Sequence, residues 1–186
     1  MINGNIPQKV EALQAMIYEI TGDRKDYSDK NMYLISHSHQ DIYWLWGHQE
    51  SVKMMQDNLR QAVAFLKEFP QYRFSQSQAA IYREIEKSDP VIFDEIKGFV
   101  RDGRFELLGG QWSEGDNNLS SGEATVRSML LGQRYYLSRF GKMAAVGWLP
   151  DNFGHTGQLP QLLNQAGMNA YYFNRCAPHR GCFVWE

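Results

Sequence analysis

The stretch AAVGWLPDNFGH (144–155) decides the fold class, because an apolar run is followed at once by a polar loop. Residues 144–150 form a run that is too short for a helix and predict a buried strand. The polar loop begins at Asp151, and LPQLLNQAG (159–167) then shows helical periodicity. Strand, polar loop and helix therefore follow one another without a break.

The same order recurs along the chain. Further strands are predicted at 32–36, 72–77, 104–110 and 169–173, and helices at 7–22, 50–69, 79–87, 90–100 and 121–141. Such an alternation predicts an α/β fold with a parallel sheet and crossover helices.

Polar clusters follow four of the predicted strands, and parallel α/β folds carry their chemistry at the carboxyl ends of the strands. The clusters are HSHQD (37–41), SQSQ (75–78), QWSEGD (111–116) and DNFGH (151–155). We expect these four loops to converge on one face of the sheet.

Composition excludes several classes of partner. The 186 residues carry a net charge of −2 with a pI near 6.2, which offers no basic surface for nucleic acid or an anionic membrane. No stretch approaches the roughly 18 apolar residues of a membrane span. Cys176 and Cys182 are too few for a disulfide framework and lack the spacing of a zinc or redox pair.

The two ends of the chain carry further expectations. The opening MINGNIPQKVEAL lacks a secretion signal, which favours a cytoplasmic location; removal of an earlier signal would give a periplasmic or secreted one. The final CFVWE (182–186) resembles a strand that is cut off, so we expect the chain to be part of a larger protein.

His39 and Asp41 form the first candidate site. In an extended segment, side chains at i and i+2 point the same way, and imidazole with carboxylate suits Zn²⁺. An isolated pair of this kind is more often a strand-end histidine bonded to a capping aspartate, since ligation needs three or four protein groups. Asp151 could complete a metal site, attack a substrate or cap the following helix.

Aromatic and acidic side chains near the same strand ends are candidate contacts for a substrate. Trp44 and Trp112 suit the faces of sugars, although core packing is the commoner fate of tryptophan. Glu114 and Asp116 could bind substrate hydroxyls, with a solvated loop as the alternative, and His155 is a further candidate in the loop of Asp151.

Three separated stretches, in this order and spacing, resemble the amino-terminal catalytic domain of the family 38 glycoside hydrolases, the α-mannosidases. They are HSHQDIYWLW (37–46), GRFELLGGQWSEGDNNLSSGEATVRSMLLGQRYY (103–136) and WLPDNFGHTGQLPQLL (148–163). The resemblance implies a parallel β/α barrel of the seven-stranded glycoside hydrolase and deacetylase type, incomplete in this chain. Residues 1–30 would form a helical segment and residues 31–186 the amino-terminal part of the barrel.

The resemblance also implies roles for individual residues. His39, Asp41 and Asp151 would bind one Zn²⁺, Asp151 would also be the nucleophile of a retaining α-mannosidase, and Trp44 would contact the sugar. The remaining zinc ligand and the general acid would lie beyond residue 186. We therefore expect the chain by itself to be inactive, and its open sheet edge to favour self-association into a homo-oligomer or marginal stability.

Two other functions stay open. A zinc-dependent carbohydrate deacetylase would use similar ligands but would activate water instead of forming a covalent intermediate. A non-catalytic carbohydrate-binding fragment would bind an α-mannoside or oligosaccharide without zinc.

Overall fold

Strands and helices alternate along residues 33–175, the part of the chain that the computed structural model describes. The elements in chain order are α1 (His48–Glu68), β1 (Phe74–Gln76), α2 (Ala79–Ser88), α3 (Pro90–Arg101), β2 (Phe105–Leu107), α4 (Gly122–Phe140), β3 (Val146–Leu149), α5 (Leu159–Gln165) and β4 (Ala170–Phe173). The predicted helix at 7–22, both cysteines and the predicted strand at 182–186 lie outside the described residues.

The strands pair in parallel, which confirms the predicted α/β class. Phe74 of β1 lies opposite Phe105 of β2, and Val146 of β3 lies opposite Ala170 of β4. The two pairs are joined where the backbone N–H of Gly109 donates to the carbonyl of Val146 at 2.8 Å. The strands thus form two two-stranded parallel sheets that this bond connects, and closure into a seven-stranded barrel stays a prediction.

The predicted strand at 32–36 is wrong for its described residues, 33–36. Only His37, just after it, forms a parallel bridge, to Ser75 of β1. The side chains of Leu34 and Ile35 are 71% and 68% exposed. A strand needs consecutive pairing along its length, and one bridge does not supply it. The bridge nevertheless positions the HSHQD loop beside the carboxyl end of β1.

Local sequence signals explain where the longer helices begin and end. The carboxylate of Asp89 accepts the backbone N–H of Ile92, and Pro90 occupies the first turn of α3. The Ser121 hydroxyl caps α4 in the same way, and Gly141 ends that helix with a φ of 74°.

Two buried tyrosines tie the helices to the carboxyl ends of the strands. The Tyr82 hydroxyl donates to the carbonyl of Gln76 at 2.7 Å, and the Tyr136 hydroxyl donates to that of Leu108 at 3.1 Å. Burial raises the pKa of both phenols well above the ordinary value, so both stay protonated donors. These contacts fix the edge of the sheet from which the polar loops emerge.

A glycine allows α4 to approach the loop after β2. A Cβ atom at Gly132 would lie 2.5 Å from the carbonyl oxygen of Gly110 and from the carbonyl carbon of Gln111. The absence of a side chain at Gly132 therefore sets the position of residues 110–111, which lead directly into QWSEGD. None of the helices described is long and apolar enough to cross a membrane.

Candidate metal centre

Successive side chains at the end of the HSHQD loop point alternately outward and inward. Gln40 is buried. Its side-chain Nε2 donates to the backbone carbonyl of Ser51 at 3.0 Å, and its backbone carbonyl accepts from Gln78 Nε2 at 2.8 Å. His39 and Asp41 flank Gln40 and lie together, with His39 Nε2 3.5 Å from Asp41 Oδ1. The period-two alternation expected of an extended segment explains this pairing.

Asp151 joins this pair from a distant part of the sequence. It follows β3 directly, and its Oδ2 lies 3.9 Å from His39 Nε2. The ligand atoms of His39, Asp41 and Asp151 all lie within 4.8 Å of one another. The structure therefore brings together the three side chains that the sequence analysis selected as ligands.

The donor types of the three side chains suit a zinc ion, and two of their three separations approach the spacing that it needs. Tetrahedral zinc with bonds of about 2.0–2.2 Å keeps its ligand atoms roughly 3.3–3.5 Å apart. The separations of 3.5 and 3.9 Å from His39 Nε2 are close to that spacing, and the three side chains are 32%, 43% and 28% exposed, which leaves them room to adjust. One imidazole and two carboxylates are a donor set that zinc accepts.

Glu114 lies behind the cluster and contacts two of its members. Its Oε1 accepts the backbone N–H of Asp151 at 2.9 Å, and its Oε2 lies 3.3 Å from His39 Nδ1. The Glu114 carboxylate beside Nδ1 raises the pKa of His39, with smaller contributions from the charges of Asp41 and Asp151, while burial lowers it. A proton on Nδ1 facing Glu114 leaves Nε2 directed at the two aspartates.

Arg175 contacts the second oxygen of Asp151. Its Nε donates to Asp151 Oδ1, and its guanidinium lies 4.8 Å from the centre of the Phe153 ring. The two carboxylate oxygens of Asp151 are thus divided between His39 and Arg175. The sequence analysis missed Arg175, although it follows the predicted strand at 169–173, where the same strand-end argument would have found it.

His37 lies beside the cluster but is not part of it. Its Nε2 is 3.3 Å from the Ser77 hydroxyl, and its ring centroid is 5.0 Å from that of Trp148. Burial, with the nearby His39 as a second cause, lowers the pKa of His37 to about 4. The imidazole is therefore neutral near pH 7.

An open cavity of about 230 Å³ lies over the cluster. Its lining includes the three candidate ligands together with Tyr43, Glu114 and Asp116. Asp116 Oδ1 also accepts the backbone N–H of Asn118 at 2.8 Å, which fixes a turn in the loop. Of the predicted substrate contacts, Glu114 and Asp116 thus border the cavity.

The other predicted substrate contacts lie elsewhere among the residues described. Trp44 is 67% exposed, and Trp112 packs edge-on against Tyr135 with ring centroids 6.0 Å apart. His155 Nδ1 lies 2.8 Å from the Tyr171 hydroxyl. The lining of the cavity includes none of these three predicted contacts, and their roles in substrate binding stay predictions.

A comparison with known protein families shows the family of this chain. Residues 29–180 match the family described as the glycosyl hydrolases family 38 N-terminal domain. The chain belongs to glycosyl hydrolase family 38. The resemblance read from the three sequence stretches is confirmed, and the fold and the ligand cluster lie inside the matched range.

Family 38 relatives cover most of this chain. Human alpha-mannosidase 2C1 is 33% identical over 97% of this chain and 18% of its own length. Alpha-mannosidase G of Dictyostelium discoideum is 31% identical over 90% of this chain and 16% of its own length. The chain therefore spans less than a fifth of the length of these curated relatives.

Solved structures agree with this assignment. The crystal structure of an alpha-mannosidase from Enterococcus faecalis matches 75% of this chain and 16% of its own, with a TM-score of 0.69 and 27% identity. The 4-alpha-glucanotransferase of Thermococcus litoralis matches with a TM-score of 0.59 and 17% identity, which shows a shared fold alone.

Proposed function

We propose that the protein is a zinc-dependent, retaining α-mannosidase that hydrolyses terminal α-mannosyl residues of an α-mannoside or oligosaccharide. The observation that carries the proposal is the convergence of His39, Asp41 and Asp151 within 4.8 Å. This cluster lies in a family 38 domain whose relatives are named alpha-mannosidases.

His39 Nε2, Asp41 Oδ1 and Asp151 Oδ2 would hold the zinc ion. When bound, zinc supplies Lewis acidity toward the hydroxyls of a sugar ring. Because Oδ2 of Asp151 faces His39, its Oδ1 remains as the nucleophile, and Arg175 Nε orients that oxygen.

The proposed covalent chemistry uses Asp151 as the nucleophile. Its Oδ1 donates an electron pair to the anomeric carbon, and the bond from that carbon to the leaving oxygen breaks. The leaving oxygen keeps the bonding pair and takes a proton from a general acid, which the family resemblance assigns to sequence beyond these 186 residues. Water then cleaves the glycosyl ester on Asp151, so that two inversions give overall retention.

The cavity over the cluster offers polar groups to a sugar. Its volume is about 230 Å³, and Tyr43 and Asp116 border it from two different loops.

The test is hydrolysis of an aryl α-mannoside by the full-length protein, followed by proton NMR from the first minutes. We expect α-mannose to appear first and to convert slowly to the anomeric mixture. Initial release of the β anomer would exclude Asp151 as the nucleophile, and release of acetate from acetylated sugars without hydrolysis of the mannoside would identify a deacetylase instead.

A further inference from the structure

Gln78 and Glu114 connect the loops that carry the candidate ligands. Gln78 Nε2 donates to the carbonyl of Gln40, between His39 and Asp41, and Gln78 Oε1 accepts the backbone N–H of Glu114 at 3.0 Å. Glu114 in turn contacts His39 and Asp151. Two side chains thereby join the loops that follow His37, β1, β2 and β3.

The backbone of Gln78 is strained to make these contacts. Its φ of 66° and ψ of 99° lie where a residue with a side chain is uncommon, and glycine is the usual occupant of such positions. Gln78 is nevertheless only 4% exposed, and both ends of its amide are engaged. Strain at a buried residue of this kind persists where the surrounding contacts require it and is concentrated at functional sites.

Glu114 has little freedom to serve a substrate as well. Its side chain is 9% exposed, Oε1 is bonded to the Asp151 N–H, and the nearest charged partner of the buried Oε2 is His39 Nδ1. Among the residues described, Oε2 has no hydrogen-bond partner, so its contact with His39 Nδ1 is an approach of the two groups to 3.3 Å. The carboxylate that the sequence analysis selected for substrate hydroxyls is therefore directed at the back of the histidine.

We propose that Glu114 is a positioning residue that holds His39 with Nε2 toward Asp41 and Asp151, and that Gln78 holds Glu114 in place. This inference rests on the proposed zinc site. A histidine ligand binds through one ring nitrogen, and a carboxylate that accepts from the other nitrogen fixes both the tautomer and the orientation of the ring. The bond to the Asp151 N–H gives the same carboxylate control over the position of a second ligand.

Three variants of the full-length protein test the proposal. Glu114→Asp keeps the negative charge but is too short to reach both His39 and Asp151. Glu114→Gln keeps the length and shape but presents an amide where Nδ1 needs an acceptor. Gln78→Met keeps the volume and removes both hydrogen bonds of the amide.

Zinc dissociation constants from isothermal titration calorimetry, at one fixed pH, are the main measurement. We expect Glu114→Asp and Glu114→Gln to weaken zinc binding by about 10- to 100-fold, and Gln78→Met to weaken it less. The matched control is Glu123→Gln, which removes the same charge from a side chain that is 67% exposed and paired with Arg127; its affinity should equal that of the wild type.

The visible absorption of the cobalt(II)-substituted proteins reports ligand geometry, and thermal melting reports folding. The proposal requires an altered cobalt spectrum in both Glu114 variants at metal saturation. Wild-type affinity and spectrum in Glu114→Asp, with loss only in Glu114→Gln, would show that Glu114 acts through charge alone and would overturn it. Failure of both Glu114 variants to fold, with wild-type zinc binding in a folded Gln78→Met, would overturn it too. Failure of the wild type to bind zinc would instead refute the proposed function.

Discussion

The backbone N–H of Asp151 donates to Oε1 of Glu114 at 2.9 Å, and this bond ties the residue after β3 to the loop after β2. The same carboxylate reaches His39 through its other oxygen. Contacts among three loops, those that carry His39, Glu114 and Asp151, therefore set the position of the proposed nucleophile.

Asp151→Asn should abolish hydrolysis of an aryl α-mannoside, because an amide oxygen cannot form the glycosyl ester. We expect kcat/KM to fall on the order of 10⁴-fold or more, as for the loss of a nucleophile in other enzymes. Asp94→Asn is the control, because Asp94 is 74% exposed and pairs only with the neighbouring Lys97 among the ion pairs described. Near-normal turnover by Asp151→Asn would remove Asp151 from the mechanism.

Arg175→Lys should lower kcat more than it changes KM. Lysine keeps the positive charge but loses the planar guanidinium whose Nε orients Asp151 Oδ1. Misplacement of a reacting oxygen costs up to about 10²-fold in rate, so we expect a loss of about 10- to 100-fold in kcat. Arg127→Lys, at a side chain that is 72% exposed, should leave both constants unchanged. An equal effect of the two variants would contradict the role of Arg175.

Gly132→Ala should destabilise the fold although alanine favours helices. The gain in helix propensity is about 1 kcal/mol, whereas a Cβ atom 2.5 Å from the backbone of Gly110 and Gln111 overpacks the contact at a cost of about 1–3 kcal/mol. We expect a lower melting temperature by thermal denaturation, together with weaker zinc binding because residues 110–111 lead into the loop of Glu114.

Gly98→Ala is the matched control for that variant. The nearest atom to a Cβ at Gly98 of α3 is Arg101 Nη2 at 4.0 Å, so the propensity gain is unopposed. Gly98→Ala should raise the melting temperature by about 2–4 °C. A rise of similar size in Gly132→Ala would show that α4 does not depend on the close approach at Gly132.

Removal of the metal should show whether mannoside hydrolysis depends on zinc. Dialysis of the full-length protein against a chelator should eliminate mannoside hydrolysis, and Zn²⁺ should restore it where Mg²⁺, which prefers oxygen ligands in octahedral geometry, should not. Full mannosidase activity after exhaustive dialysis, with no zinc detected by elemental analysis, would contradict the zinc-dependent mechanism.

Local sequence signals predicted the helices well. Features that depend on contacts between distant parts of the chain were predicted less well. The predicted helix at 90–100 is observed as Pro90–Arg101, because the aspartate and proline at its start act within one turn. The predicted strand at 32–36 is wrong for residues 33–36, since pairing with β1 decides strand formation and apolar composition alone does not supply it.

The same contrast between local and long-range information applies to the candidate site. Period-two alternation put His39 and Asp41 side by side, and the place of Asp151 after an apolar strand put it at the same edge, whereas their assignment as zinc ligands came from the family resemblance. The contacts of Glu114 depend on how the loops after β1, β2 and β3 fold against one another, which no pattern within a single loop encodes. Gln78, in the SQSQ cluster, carries no sequence signal of its strained backbone, because glutamine is an unusual residue at positive φ.

Anomalous diffraction at the zinc absorption edge, from crystals of the full-length protein, tests the central claim most directly. The account predicts one strong peak within about 2.0–2.2 Å of His39 Nε2 and of one carboxylate oxygen each from Asp41 and Asp151, with His39 Nδ1 facing Glu114. A peak at another position, or a zinc-replete crystal with no peak between these three side chains, would contradict it.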